Sequence, residues 1–433
     1  MSNHCCIIGA GAAGLAALKT MTDAGFQVDC FEKSGNIGGH WNTDYDALHL
    51  ITPKSSSCFD GFPMPTDYPV YPSRDQVKAY MNAYTDTFGL REKISFNTEV
   101  RSLVPLDENG EAGWQVTLAD GSSKRYAGVL VANGHLWDYK IPEVGQRFTG
   151  VSIHSGEYRN VKQVQGKLLV VGFGNSGCDL AVDAAQARLD TTIAIRRGQL
   201  FQPKTIFGVP RGELPFLGQL PPEQQNMVMN MLIMASVGTH KNYPGLPAPE
   251  TYDLDAQPPV VNTLLLYWIQ HGRIKVAPGI ENIEGKTVTF TDGSQADYDT
   301  IVWATGFNTR LPFLDENLLH WRDGAPLRTA AMTLPSNLEG LFYIGLGAPR
   351  GAQWPVYCDQ TKLVMRFLKL RAAGMKGLAA KFAKLQPAES RIDIVKREWL
   401  SNYQDTQSQL DVMELTLLPT APPPSTGLIG HPL

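Results

Sequence analysis

Cys5-Cys6-Ile7-Ile8-Gly9-Ala10-Gly11-Ala12-Ala13-Gly14 is the stretch that decides the fold. A short apolar run enters a G-x-G-x-x-G turn. An alanine-rich helical stretch then runs to Ala24, Gly25 stops it, and a second apolar run, Val28–Phe31, ends in Glu32. Strand, glycine turn, helix and strand, with an acid 18 positions past the last glycine, is the pattern of a dinucleotide site. The glycines let the backbone approach a pyrophosphate, whose charge the helix N-terminus stabilises. Glu32 is then placed to hydrogen-bond a ribose 2′-hydroxyl. A plain strand–helix turn would require neither the glycine spacing nor the acid.

The same plan recurs once. Leu168-Leu169-Val170-Val171 leads into Gly172-Phe173-Gly174-Asn175-Ser176-Gly177, a helix through Ala187, and a run Thr191–Ile195. Nineteen positions past Gly177 the acid is replaced by Arg196, with Arg197 beside it. A carboxylate there would repel a 2′-phosphate, whereas a guanidinium grips one. The first unit therefore suits FAD and the second NADPH in preference to NADH. The expected fold class is α/β with two Rossmann-like dinucleotide-binding domains, an FAD domain carrying an inserted NADPH domain. The expected borders are 1–160 and 276–433 for FAD and 161–275 for NADPH.

Composition narrows the functional classes. The chain has 433 residues, 43% hydrophobic and 18% charged, with a net charge of −4, so it lacks the basic excess of a nucleic-acid reader. No stretch approaches the ~20 apolar residues of a membrane span, which points to a cytoplasmic protein. Six cysteines, Cys5, Cys6, Cys30, Cys58, Cys178 and Cys358, show neither C-x-x-C nor metal-ligand spacing. A thiol relay of the disulfide-reductase kind is thereby excluded, and Cys5 and Cys6 read as strand core. Electrons that reach the flavin must pass to a soluble acceptor, to oxygen or to a substrate.

At this point the chain resembles the flavin-containing monooxygenases, the class B flavoprotein monooxygenases, in their bacterial, soluble form. Phe148-Thr149-Gly150-Val151-Ser152-Ile153-His154-Ser155-Gly156-Glu157-Tyr158 fits their signature F-x-G-x-x-x-H-x-x-x-[YF] just before the second glycine turn. Gly38-Gly39-His40-Trp41, Cys58–Pro63, Asp67-Tyr68-Pro69, the crossings Val131–His135 and Trp303–Phe307, and Leu341–Gly345 agree with it. The resemblance implies that NADPH reduces FAD and that oxygen adds to give a C4a-hydroperoxyflavin. A small amine or sulfide then attacks its distal oxygen, so no catalytic triad is needed. Baeyer–Villiger monooxygenases, which oxygenate ketones and usually carry Trp at the place of Tyr158, are one alternative. A non-oxygenating flavoprotein, an oxidase or NADPH-dependent regulator, is the other. A homodimer is compatible with the sequence, which does not decide it.

The residue assignments follow from the motifs and the resemblance. Gly9, Gly11, Ala12, Gly14, Glu32, Lys33, His40, Trp41, Val100 and Gln360 are the FAD candidates. Gly172, Gly174, Asn175, Ser176, Gly177, Arg196 and Arg197 are the NADPH candidates, with Arg196 preferred over Arg197. His154, Tyr158 and Thr52 are the catalytic candidates, His154 with a place near NADP and the domain junction. Thr52 enters because the family usually has an Asn in the loop after G-G-x-W, and here Leu50-Ile51-Thr52-Pro53-Lys54-Ser55 fills that loop. Met227, Met231 and Met234, one helix face by spacing, read as core packing. The last fifteen residues, with five prolines, read as a tail.

Overall fold

The computed structural model describes residues 4–417; the proline-rich tail falls outside them. Two five-stranded, all-parallel sheets organise the chain. The first is built from β1 (His4–Ile8), β2 (Gln27–Phe31), β3 (Ile94–Ser95), β4 (Gly128–Val131) and a late strand, Leu341–Tyr343, in the order Leu341–Tyr343, β4, β1, β2, β3. The second is built from β5 (Val151–His154), β6 (Leu168–Val171), β7 (Thr191–Ala194), β8 (Ile274–Ala277) and β9 (Thr300–Trp303), in the order β8, β7, β6, β9, β5. The late strand Leu341–Tyr343 is β10. The short apolar runs form continuous strands because both faces of a parallel sheet are covered. Cys5 and Cys6 are fully buried in β1, as their apolar context predicts.

Helix α1 (Ala12–Asp23) connects β1 to β2, and α2 (Arg74–Thr87) precedes β3. Helix α3 (Asn175–Gln186) connects β6 to β7, while α4 (Pro222–Val237) and α5 (Leu264–Gln270) lie between β7 and β8. The chain closes on α6 (Trp354–Ala372), α7 (Leu378–Leu385) and α8 (Lys396–Thr416). Three-stranded antiparallel sheets, Val100–Pro105 with Trp114–Leu118 and Ser123–Tyr126, and Ile280–Glu284 with Thr287–Phe290 and Gln295–Asp297, are attached one to each unit.

Three findings differ from the sequence reading. The second sheet reaches past both expected borders, since β5 lies before residue 161 and β9 after 275, and both pair within it. The segments that cross between the units are thus 132–139 and 304–308, joined as a ribbon by Asp138–Tyr139 against Phe307–Asn308. The methionine face of α4 is exposed rather than core: Met227 and Met231 are 58% and 59% accessible, and Ile233 alone of the helix is buried. Helical spacing gives a common face but not what covers it. Helix α6 begins at Trp354 and is followed by the longer α8, which buries only Trp399, Thr406 and Leu410 and so shows little apolar periodicity.

Candidate cofactor and oxygenation site

The two glycine turns are built alike. A methyl at Gly14 would lie 1.9 Å from the Gly9 carbonyl oxygen, and one at Gly177 would lie 2.2 Å from that of Gly172. Only glycine lets each helix start so close to its preceding strand. Each turn also abuts a crossing segment: methyls at Gly9 and Gly172 would fall 2.7 and 2.2 Å from the carbonyl oxygens of Ala132 and Ala304. Both turns therefore sit where the strand order reverses, β1 against β4 and β6 against β9, the crevice in which open parallel sheets bind ligands.

The helix N-termini at these turns fit a pyrophosphate. Gly11 and Gly174 are the N-caps, and neither α1, beginning at Ala12, nor α3, beginning at Asn175, has a side-chain cap or an acid in its first turn. Helix α2 shows the contrast, with a Ser73/Gln76 capping box and Asp75 in its first turn. A methyl at Gly174 would meet nothing within 4 Å, so open space lies before the α3 N–H groups. Uncapped donors facing space suit an anionic group. The Asn175 side chain accepts from the Val261 N–H at 2.8 Å, which fixes the start of α3. Ser176 faces Tyr45.

The two strand ends differ. Glu32 is buried, its Oε2 accepting from the Ala10 N–H and its Oε1 from the Ser34 N–H, both at 2.8 Å. Each oxygen keeps one lone pair, enough for a ribose hydroxyl. Arg196 is exposed, its stem over Gly279. Among the described residues its guanidinium has no ion pair, whereas Arg197 lies 3.8 Å from Glu250. That difference favours Arg196 for a 2′-phosphate.

The remaining FAD candidates surround the first turn. Gly38 donates its N–H to the Ala10 carbonyl at 2.9 Å, which brings the following Gly39-His40-Trp41 turn against Gly11. His40 Nδ1 lies 2.5 Å from Asp44 Oδ2, and Trp41 is buried in the first unit's core. Exposed Lys33 stands over Trp137, 5.0 Å from the ring centroid. Val100 opens an antiparallel strand two residues after Thr98, whose N–H donates to the Glu32 carbonyl at 2.9 Å. Gln360, fully buried in the second turn of α6, accepts from the Gly345 N–H at 2.9 Å, which fastens the loop after β10.

The catalytic candidates occupy different places. His154 ends β5 at the crossing ribbon, stacked on Tyr139 at 4.6 Å and edge-on to Phe307 at 5.0 Å. Its Nδ1 accepts from the Gly156 N–H at 3.1 Å, and its Nε2 lies 3.0 Å from the Gly306 carbonyl oxygen. That pattern requires the neutral ring protonated on Nε2, and burial lowers its pKa accordingly. With both nitrogens engaged and no solvent exposure, His154 joins the units rather than facing a substrate. Tyr158 is likewise buried and donates to Asp183 Oδ2 of α3 at 2.8 Å. Thr52 Oγ1 is 2.7 Å from Ser57 Oγ in a loop that Lys54 fastens through the Pro65 carbonyl at 3.0 Å and the Thr66 carbonyl at 2.7 Å.

Residues that no motif marks complete the seam between the units. Tyr45, in the loop after Trp41, is buried in the second unit's core and donates to Asp179 Oδ2 of α3 at 2.9 Å. Asn262 donates to the other Asp179 oxygen at 2.6 Å. Asp46 accepts from the Asn160 side chain at 2.7 Å. His135, in the first crossing, has its pKa pushed down to about 4 by burial and by the His40 and Arg328 charges. Among the described residues no cluster of metal-ligating side chains occurs and no helix is long and apolar enough to cross a membrane.

Comparison with known proteins agrees with this geometry. The profile of the flavin-binding monooxygenase-like family matches residues 2–415. Dimethylaniline monooxygenase 2 (N-oxide-forming) of Oryctolagus cuniculus is 29% identical over 425 residues, 92% of this chain and 77% of that enzyme. In fold, the flavin-containing monooxygenase of Stenotrophomonas maltophilia is similar with a TM-score of 0.65 at 19% identity, covering 86% of this chain and 98% of that one. A mutant cyclohexanone monooxygenase of Rhodococcus sp. Phi1 bound to NADP+ gives a TM-score of 0.72 at 18% identity, covering 95% and 97%.

Proposed function

This chain belongs to the flavin-binding monooxygenase-like family and is an NADPH-dependent FAD monooxygenase; from that premise we propose that it transfers one oxygen atom of O2 to a nucleophilic nitrogen or sulfur of a small organic substrate. NADPH, a proton, O2 and the substrate give NADP+, water and the N- or S-oxide. The bound flavin supplies the redox chemistry, taking hydride from the nicotinamide and activating oxygen.

The protein's own residues bind, orient and exclude water. Glu32 and the α1 N-terminus hold the FAD adenosine and pyrophosphate, and Arg196 with the α3 N-terminus holds NADPH. Gln360 fixes the loop after β10 behind the first turn, and His154 fastens the ribbon on which the two units meet. The lone pair of a thioether sulfur or of a neutral amine attacks directly, so this reaction does not require a general base acting on the substrate atom. In the loop Leu50–Ser55, where the family usually has an Asn, Thr52 is the candidate hydrogen-bond donor, its hydroxyl 2.7 Å from that of Ser57.

The observation that carries nitrogen or sulfur over carbonyl oxygenation is Tyr158. Its hydroxyl is the donor that satisfies half-buried Asp183, and the Trp usual in ketone oxygenases would present its N–H elsewhere on a bulkier ring. The name of the N-oxide-forming relative points the same way. The test is product analysis with NADPH, O2 and, in parallel, a tertiary amine, a thioether and a cyclic ketone, with hydrogen peroxide titrated in each. N-oxide or sulfoxide in near-stoichiometric yield, with no lactone, supports the reading. Lactone as the main product overturns it.

A further inference from the structure

Between β7 and α4 the second unit carries a hairpin that the dinucleotide assignments leave unused. Its strands, Thr205–Ile206 and Val209–Pro210, pair antiparallel with Thr205 opposite Pro210. The Arg211 N–H donates to the Lys204 carbonyl at 3.0 Å, so Lys204 and Arg211 are cross-strand neighbours at the hairpin's base. Like charges so placed repel, and both side chains are half-buried, which reduces the screening by water.

Neither cation has a carboxylate within ion-pair distance among the described residues. Lys204 Nζ meets His49 Nε2 and lies 5.6 Å from the Tyr71 ring centroid. Among the described residues the Arg211 guanidinium makes no hydrogen bond. Two acids of the neighbourhood are engaged elsewhere: Asp179, whose charge Lys204 feels, with Tyr45 and Asn262, and Glu213, two residues past Arg211, with Ser55. Burial pulls the pKa of both cations down, and the Asp179 charge only partly offsets this at Lys204. Two desolvated like charges without a counter-ion are a costly arrangement.

Their position says where the missing charge would come from. His49 and Tyr71 belong to the first unit's loop that also holds Thr52, and the Tyr71 hydroxyl donates to the Lys204 carbonyl at 2.8 Å. Asp179, whose charge Lys204 feels, lies one turn along α3 from Ser176. The pair therefore faces the seam where substrate and nicotinamide nucleotide would meet. We propose that Lys204 and Arg211 form an oxyanion site on this seam, filled by a carboxylate of the substrate or a phosphate of NADPH. The carboxylate source rests on the oxygenation reading above; the phosphate source does not.

The test is equilibrium titration of the FAD-loaded protein, followed by flavin absorbance, with NADP+, 3-(methylthio)propionate and its uncharged analogue 3-(methylthio)propanol. A substrate site predicts that the propionate binds about tenfold or more tightly than the propanol and that Arg211→Gln and Lys204→Gln each erase the difference. A nucleotide site predicts instead a rise of about tenfold or more in the NADP+ dissociation constant in both variants. Arg211→Lys should restore most of either effect. Relief of the repulsion should leave the melting temperature of Arg211→Gln equal to or above that of the parent, which separates lost binding from lost folding. Affinities for all three ligands within twofold of the parent in both Gln variants would overturn the site. The titration reads binding alone, so its outcome stands apart from the oxygenation reading: lactone as the main product in the separate product analysis overturns that reading and leaves the anion site standing.

Discussion

The two glycine-turn units share a backbone plan and treat their ligands differently. In the first, the acid that ends β2 is buried and held by two backbone N–H groups. In the second, the arginine that follows β7 is exposed and, among the described residues, makes no ion pair. A buried, pre-oriented carboxylate suits a cofactor that stays through many turnovers. An exposed guanidinium suits one that must enter and leave in each. The difference lies in the strand ends rather than the turns, whose glycines meet matching carbonyls to within a few tenths of an ångström. On the proposed assignment, identity of the dinucleotide and its residence time would be set by the same residue in each unit.

Substitutions at matched positions should break this comparison if it is wrong. The largest effect is expected from Gly14→Ala, because the methyl has no room beside the Gly9 carbonyl: the purified protein should carry almost no FAD, read from its absorbance near 450 nm. Gly177→Ala should keep its FAD and lose NADP+ binding. Loss of FAD from both would mean that the turns do not serve separate dinucleotides. Next, Glu32→Ala orphans the buried Ala10 N–H and frees that of Ser34 as well as the ribose, so FAD affinity should fall about a hundredfold, on the order of 1.5–3 kcal/mol per charged hydrogen bond. Smaller still, Arg196→Ala should raise KM for NADPH about ten- to thirtyfold, that for NADH less than about twofold, because an exposed pair is screened. Equal changes for both nucleotides would remove Arg196 from the 2′-phosphate.

What could be read in advance follows the same division. The glycine turns and the strand ends at Glu32 and Arg196 were legible because each unit is written within some thirty consecutive residues, where spacing alone carries geometry. The seam was not. Tyr45 reaches Asp179 across 134 positions and Asp46 reaches Asn160 across 114, and nothing local in either segment records the contact. Edge strand β5 pairs with β9 from outside the expected 161–275 segment for the same reason: a parallel strand's partner lies far away in sequence. The outer face of α4 misled in the opposite way, since periodicity reports which residues share a face and is silent on whether anything covers it. The signature histidine was found by pattern, yet its role is visible only from the carbonyl of Gly306, the N–H of Gly156 and the rings of Tyr139 and Phe307.

The smallest predicted effect concerns two histidines beside the crossing ribbon, His135 in the first crossing segment and His154 at the end of β5, packed on Tyr139 and Phe307. Burial lowers both pKa values, that of His135 to about 4. Below the ordinary value of about 6.5 the unfolded chain binds protons that the folded chain refuses, so stability falls as pH drops from about 6.5 towards 4 and is unaffected above that window. The slope from one such group is at most about 1.4 kcal/mol per pH unit. Urea unfolding of the FAD-free protein at pH 5 and pH 7 should therefore show His135→Asn losing less stability on acidification than the parent. Carboxylates such as Asp46, held below their usual range by Asn160 and Arg74, lose their contribution only at lower pH, and those that burial raises, such as Asp183, are common to variant and parent and cancel in the comparison. His154→Asn should flatten the same limb but lower stability at both pH values, because an amide cannot reach both Gly156 and Gly306 and stack on Tyr139. If the two variants behave alike, the two positions are equivalent, and the difference between the units is confined to their dinucleotide ends.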